Sequence, residues 1–164
     1  MIMKTRLFLI LLLLITASTE VRSQLVEREA ILQTAVQGIN VFIKDLPDGS
    51  LNDFGFLNKT EMRQFTFAAP IPVYTLKDTA MVFTGTWRVP IVIDKEYRSL
   101  LTVIREAGSF KAVDFGAVEL AKAYQLNKTR ETVGMLRVYQ LRKDFLIERN
   151  ATGKVLFLPV EYNR

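Results

Sequence analysis

The 164-residue chain contains no cysteine and no histidine. Without cysteine it can form no disulfide bond, no thiolate nucleophile and no lipid-modified cysteine anchor. Without histidine it lacks the side chain that most often serves as a general base or a metal ligand. These two absences exclude serine–histidine–acid triads, cysteine proteases and zinc hydrolases. We therefore expect no metal ion and no cofactor.

Several short motifs of nucleotide-binding proteins and hydrolases are also missing. The sequence has no Gly-x-Gly-x-x-Gly, no phosphate-binding loop, no Gly-x-Ser-x-Gly and no Ser-x-x-Lys. The chemistry that remains open is a carboxylate pair, a serine–lysine dyad, or a hard cation held by oxygen ligands. The sequence alone names no catalytic residue among these.

The chain begins with a pattern that is typical of a secretory signal peptide. Two basic residues, Lys4 and Arg6, precede nine uninterrupted apolar residues, Leu7 to Ile15, and a small polar stretch follows. We expect cleavage after Ser23, with a cut after Ser18 as the second choice. The alternative is an uncleaved anchor, but a bilayer span needs about 20 apolar residues. The prediction is a signal peptide over residues 1–23 and a secreted or periplasmic protein without a membrane span.

The remaining residues, 24–164, suit one domain that is long enough to fold around its own core. Signal removal takes away three basic residues and one acidic residue, so the formal net charge falls from +5 to +3. The remaining basic residues are interleaved with acidic ones, whereas a nucleic-acid interface needs a clustered basic face. We therefore expect no nucleic-acid partner. Oligomeric state is left open.

Two segments have the periodicity of helices. Apolar residues recur at three- and four-residue steps over Leu25 to Leu46, and Pro47 follows. A second, shorter helix is predicted over Ala117 to Leu126, ending at 127–129. Residues 51–64 are ambiguous between a turn and a short helix.

The remaining segments have strand character. The predicted strands are 65–67, 73–76, 87–93, 97–104, 109–115, 135–141, 145–148 and 155–160. In the third of these, Trp87, Val89, Ile91 and Ile93 share one face, with Arg88, Pro90 and Val92 on the other. The order of elements predicts an α+β fold: an antiparallel sheet with both helices packed on one face.

Acidic residues are the first candidates for catalysis. The set comprises Asp45, Asp48, Asp53, Asp94, Glu96 and Glu119. A hydrolase acting on saccharide or peptidoglycan would need two of them to converge in one pocket. Acidic residues in turns commonly make local hydrogen bonds instead. The hydrolase stays an alternative, and convergence in one pocket is its discriminating test.

Three Asn-x-Thr sequons occur, at Asn58, Asn127 and Asn150, each in a segment that we interpret as a loop. They matter only in a host with glycosylation machinery in its secretory route. Chance and the preference of Asn and Thr for loops explain them equally well.

The most distinctive segment is Trp87-Arg88-Val89-Pro90-Ile91-Val92-Ile93-Asp94, followed by a strand from Tyr97. With its Trp-x-Val-Pro strand, the stretch around 65–125 resembles uncharacterised secreted bacterial α+β proteins. This resemblance implies export and the α+β fold, and it implies no activity.

Pro90 lacks an N–H, so it predicts an edge strand or a bulge, and an edge could accept an extended partner segment. Trp87, Arg88 and Tyr97 belong to residue types that are enriched at binding hot spots, so we predict them as partner-binding residues. The alternative is that Trp87 lies in the core and Pro90 protects an edge from aggregation.

The sequence thus favours an exported, non-catalytic binding module whose partner is a protein or an envelope component. The carboxylate-dependent hydrolase is one alternative. A carrier with an apolar cavity between helix and sheet is another, suggested by the eleven phenylalanines.

Overall fold

The computed structural model describes residues 24–126 and 131–161. The predicted signal peptide, its cleavage site and the Asn127 sequon therefore lie outside the described residues. Among the described residues, no helix is long and apolar enough to cross a membrane.

Residues 24–43 are helical and are called α1. A 3-10 helix, Asp48–Phe54, and a second, Glu61–Arg63, then lead into the sheet. The ambiguous segment 51–64 thus consists largely of 3-10 turns.

The strands and the second helix follow in chain order. They are β1 (Thr66–Phe67), β2 (Ile71–Lys77), β3 (Ala80–Ile93), β4 (Glu96–Glu106), β5 (Ser109–Gly116), α2 (Val118–Leu126), β6 (Glu131–Val138), β7 (Lys143–Arg149) and β8 (Val155–Pro159). A third 3-10 helix, Tyr139–Leu141, joins β6 to β7. The α+β class is confirmed.

The eight described strands form one sheet in the order β5-β4-β3-β2-β6-β7-β8, with β1 paired to β3. Neighbouring strands are antiparallel except β2 and β6, which run parallel. The sheet is therefore mixed, whereas the alternation of residues predicted an antiparallel one. The parallel pair arises because a connection containing α2 joins β5 at one edge to β6 beyond β2.

The two helices cover opposite faces of the sheet. Ile31, Ala35 and Ile39 of α1 pack with one set of strand residues that includes Leu101. Leu120, Ala121 and Tyr124 of α2 pack with a set that includes the adjacent residue, Leu100. Successive residues of a strand point to opposite faces. The expectation that both helices share one face is therefore not met, and we call the α1 side the first face and the α2 side the second face.

The third strand, β3, is internal to the sheet. It pairs with β4 on one side and with β1 and β2 on the other. Pro90 accepts a hydrogen bond from the Ala68 N–H, 2.9 Å away, at the point where the neighbour of β3 changes from β1 to β2. Pro90, which has no N–H, thus lies where β3 changes its pairing partner from β1 to β2. A register shift against β4 follows at Ile91/Val92. Of the two alternatives predicted from Pro90, the edge strand is wrong, whereas the register shift beside it agrees with a bulge.

Candidate functional site

Trp87 lies on the first face, inside the main hydrophobic core. Only 6% of its surface is exposed. Its ring lies edge-on to Phe83 at 4.9 Å and to Phe110 at 5.4 Å, and the Arg105 guanidinium lies 5.4 Å from the ring centroid. The structure therefore places Trp87 in the core, which agrees with the alternative stated above and not with the prediction that Trp87 binds a partner.

Arg88 is the next residue, so it points to the second face. Its guanidinium donates to the Thr102 hydroxyl and lies 3.4 Å from Asp114 Oδ2, and 11% of the side chain is exposed. Tyr97, the second residue of β4, is half-buried and packs on the α2 cluster. Its backbone N–H donates to Gln125 Oε1 at 2.9 Å. Arg88 and Tyr97 thus both lie beside α2, away from Trp87.

Two adjoining cavities flank α2, and these two residues line one each. The cavity with Tyr97 has a volume of about 490 Å³ and the cavity with Arg88 about 600 Å³. They share Asn52, Val118 and Lys122 in their walls. We call the pair the α2 groove. Both volumes lie within the range of small-ligand pockets.

The outer wall of the groove is held against β4 by a close backbone contact and an ion pair. Gly55, at the end of the first 3-10 helix, has φ +84°, and a Cβ there would lie 2.2 Å from the Arg98 carbonyl oxygen. Arg98 Nη2 lies 3.1 Å from Glu61 Oε1, and Glu61 Oε2 accepts the Leu57 N–H at 2.7 Å. Only glycine suits this position, because it has no Cβ and tolerates positive φ.

The charges in the groove are largely paired within the protein. Lys122 Nζ lies 2.6 Å from Glu119 Oε1. Arg137, which lines the larger cavity, binds Asp144 through two hydrogen bonds of 2.8 Å. The groove therefore presents both signs of charge together with amide groups and has no strong excess of either sign.

Two buried donors in the walls have no acceptor among the described residues. They are the Nε atoms of Arg88 in one cavity and Arg98 in the other. The nearest carboxylate oxygen to Arg98 Nε belongs to Glu96 at 3.7 Å, beyond hydrogen-bond distance. Buried donors usually have acceptors. Each cavity thus has a wall residue with an unused N–H.

Two of the six acidic candidates for a hydrolase line the same cavity. Asp53 and Glu119 both line the larger cavity, and Glu96 lines the smaller one. Asp45, Asp48 and Asp94 line neither of these two cavities. One pair of the six candidates therefore converges. Within residues 24–126 and 131–161, no group of three or more acidic side chains is arranged to hold a metal ion.

Sequence reasoning missed most of the groove. Asn52, Arg98, Lys122 and Gln125 come from the 3-10 helix, β4 and α2, and only the tertiary fold brings them together. One signal was available: Arg98 is the single charged residue of the predicted strand 97–104.

Asn58 and Asn150, in two of the sequons, are explained by local structure. Asn58 Oδ1 accepts the N–H groups of Thr60 and Glu61, and Asn150 Oδ1 accepts those of Thr152 and Lys154. Such turns are an ordinary use of Asn.

Comparison of the chain with protein-family models, with curated proteins and with solved structures found no significant match.

Proposed function

We propose that the protein is an exported, non-catalytic binding module that holds a segment of a protein or of an envelope polymer in the α2 groove. The observation that carries this proposal is the two-lobed groove itself, with walls that mix apolar, amide and paired charged groups. Export is supported by the signal-like residues 1–23, and the protein then acts in the periplasm or outside the cell.

The paired charges in the groove favour a ligand with many hydrogen-bonding groups and little net charge. Lys122 and Arg137 already have carboxylate partners, so a strongly charged ligand would have to break those pairs. A peptide backbone or a neutral sugar chain offers carbonyl or hydroxyl oxygens instead. Such oxygens suit the amide and basic side chains that line the two cavities.

Site-specific photo-crosslinking tests this placement. A photoreactive amino acid replaces Lys122 in the groove or, as the control, Lys44, which is exposed just after α1 and lines neither cavity. In the exported fraction of the native host, we expect a discrete adduct from position 122 and none from position 44. Equal labelling from both positions, or none from 122 together with no co-sedimentation with envelope polymer, would remove the groove as the binding site.

The proposed export is tested by identifying the N-terminus of the mature protein. Mass spectrometry of the protein from its native host should find an N-terminus at Gln24 or Thr19, depending on which cut is used. A product that retains Met1 and stays in the cytosol would contradict the proposed location.

The carboxylate-dependent hydrolase remains a second candidate, because Asp53 and Glu119 line one cavity. Incubation with peptidoglycan or polysaccharide, followed by assay of released reducing ends, tests it. A hydrolase requires release that Asp53→Asn and Glu119→Gln both abolish. Binding without release supports the non-catalytic module.

The apolar-ligand carrier is not supported by the packing of α1 on the sheet. A Cβ at Gly38 of α1 would lie 2.2 Å from the Ala112 Cβ of β5. Helix and strand therefore approach too closely there to leave a cavity between them.

A further inference from the structure

One end of the sheet carries exposed apolar side chains on two adjacent hairpins. β2 and β6 run parallel, with Thr75 opposite Arg137. The turns that follow these strands, at 78–79 and 139–142, therefore lie side by side at the same end of the sheet. The exposed large apolar residues next to these turns are Met81, Val82, Phe83, Tyr139 and Leu141, with 38–65% of each side chain's surface accessible.

Basic residues stand among these apolar side chains. Lys77, Arg142 and Lys143 are exposed, and the only exposed acidic residue in the same two turns is Asp78. None of the three basic residues forms an ion pair in the part of the chain that the structure describes. Arg142 and Lys143 also line a cavity of about 330 Å³, whose one acidic residue, Asp144, is bound to Arg137. The cavity thus offers positive charge to an anionic group.

The beginning of α1 lies at this end too. Glu27 forms an ion pair with Arg105, whose guanidinium lies over Trp87, and Trp87 contacts Phe83. Leu25 and Val26, just before this ion pair, are 58% and 65% exposed. A third group of apolar side chains therefore accompanies the two hairpins.

From this arrangement we propose that the hairpin end of the sheet binds the surface of an anionic lipid bilayer. Exposed aliphatic and aromatic side chains enter the interface between headgroups and acyl chains, where tyrosine is favoured. Lys77, Arg142 and Lys143 face the lipid phosphates, and the basic cavity accepts one headgroup. A peripheral contact of this kind needs both parts, because neither a few apolar residues nor a few charges alone hold a protein at a membrane. The observations behind this inference differ from those behind the α2 groove, although Arg137 lines both the basic cavity and the larger cavity of the groove.

Vesicle co-sedimentation tests the proposal with residues 24–164, the chain without its leader. One set of vesicles is pure phosphatidylcholine, and the other contains one part phosphatidylglycerol to three parts phosphatidylcholine. We expect clear binding to the anionic vesicles and at least tenfold weaker binding to the neutral ones. Each basic residue at an anionic surface contributes about a fivefold change in partitioning, so Arg142→Gln/Lys143→Gln should weaken binding about 30-fold.

A second variant and a control separate membrane binding from general charge effects. Tyr139→Ser/Leu141→Ser should also weaken binding about tenfold or more, because it removes the apolar contacts. The control, Lys44→Gln/Val36→Ser, removes one exposed basic residue just after α1 and one exposed apolar residue on α1, and it should bind like the parent chain. Circular dichroism spectra confirm that each variant is folded.

The proposal is overturned if the parent chain does not bind anionic vesicles, or if neither hairpin variant binds more weakly than the control. A protein captured by a photoreactive residue at position 141, with no vesicle binding, would instead make this end a protein interface. Saturable binding of inorganic phosphate at millimolar concentration, without any vesicle binding, would instead restrict the cavity to a soluble anion.

Discussion

Gly55 combines a left-handed backbone with the close approach that builds one wall of the α2 groove. Its φ is +84°, and the Arg98 carbonyl oxygen occupies the space where a Cβ would stand. Gly108 has almost the same φ, +82°, but nothing lies within 4 Å of its Cβ position. Comparing substitutions at the two glycines therefore distinguishes the cost of backbone strain, present at both, from the cost of steric contact, present only at Gly55.

We expect Gly55→Ala to lower the free energy of unfolding by about 3 kcal/mol or more, since strain and overpacking add. Gly108→Ala should cost only the strain, about 1–2 kcal/mol. Gly49→Ala, which has open space and no positive φ, should be neutral. Urea unfolding followed by circular dichroism measures all three. Equal losses for Gly55→Ala and Gly108→Ala would contradict the close contact.

Trp87 belongs to the core, so its replacement should act on stability. Trp87→Ala removes a side chain that packs on Phe83 and Phe110 and should lower the free energy of unfolding by about 3–5 kcal/mol. Tyr139→Ala, at a residue 65% exposed, should change it by less than about 0.5 kcal/mol. Thermal unfolding compares the two. If the Trp87→Ala protein were as stable as the parent, the burial of Trp87 in the core would be contradicted.

At the scale of elements, α1 and β5 meet at their closest point through Gly38 and Ala112. A Cβ at Gly38 would lie 2.2 Å from the Ala112 Cβ, so Gly38→Ala forces the helix away from the strand. Overpacking costs up to about 3 kcal/mol, and the better helix propensity of alanine returns about 1 kcal/mol. We expect a net loss of about 2 kcal/mol.

Exchanging the two residues provides the control. Gly38→Ala/Ala112→Gly restores the space and should recover most of the stability, less the cost of about 0.5–1 kcal/mol for glycine in a strand. The coupling between the two sites follows from a double-mutant cycle in urea. Additive effects would show that α1 and β5 do not touch there.

The sequence predicts α1 and the second half of β3 because their signals are local, but it misses residues 80–86 of β3. The three-to-four periodicity that marks α1 brings Ile31, Ala35 and Ile39 into the core, and the alternation in β3 puts Trp87, Val89 and Ile91 on the same face. The placement of α2 on the second face could not be predicted, because it depends on a crossover between β5 and β6. Hydrophobic periodicity shows which face of an element is buried, but not which side of the sheet the element covers.

At the scale of the whole molecule, the groove depends on pairings that local patterns do not contain. Arg88 comes from β3, Lys122 from α2 and Asn52 from the first 3-10 helix. Of the three residues predicted to bind a partner, Arg88 and Tyr97 line the groove and Trp87 does not. Successive side chains of a strand point to opposite faces, so Trp87 and Arg88 lie on opposite faces of the sheet.

The two proposed surfaces occupy different parts of the molecule. The groove lies beside α2 on the second face, and the exposed apolar side chains lie on the turns at one end of the sheet. A protein held at a membrane by its hairpins would keep the groove free for a partner. Arg137 lines a cavity of each surface, so substitutions that disable one surface alone are made at residues they do not share, such as Lys122 and Tyr139.

Retention of a partner by groove variants tests the central claim most directly. The parent chain, Lys122→Glu and the control Lys44→Glu, at a position that lines neither cavity, are each immobilised and exposed to the exported fraction of the native host. The captured component is quantified by mass spectrometry. Lys122→Glu reverses a charge shared by both cavities and places it beside Glu119, so retention should fall at least tenfold, while Lys44→Glu retains the same component as the parent. Undiminished retention by a folded Lys122→Glu protein would contradict binding in the α2 groove.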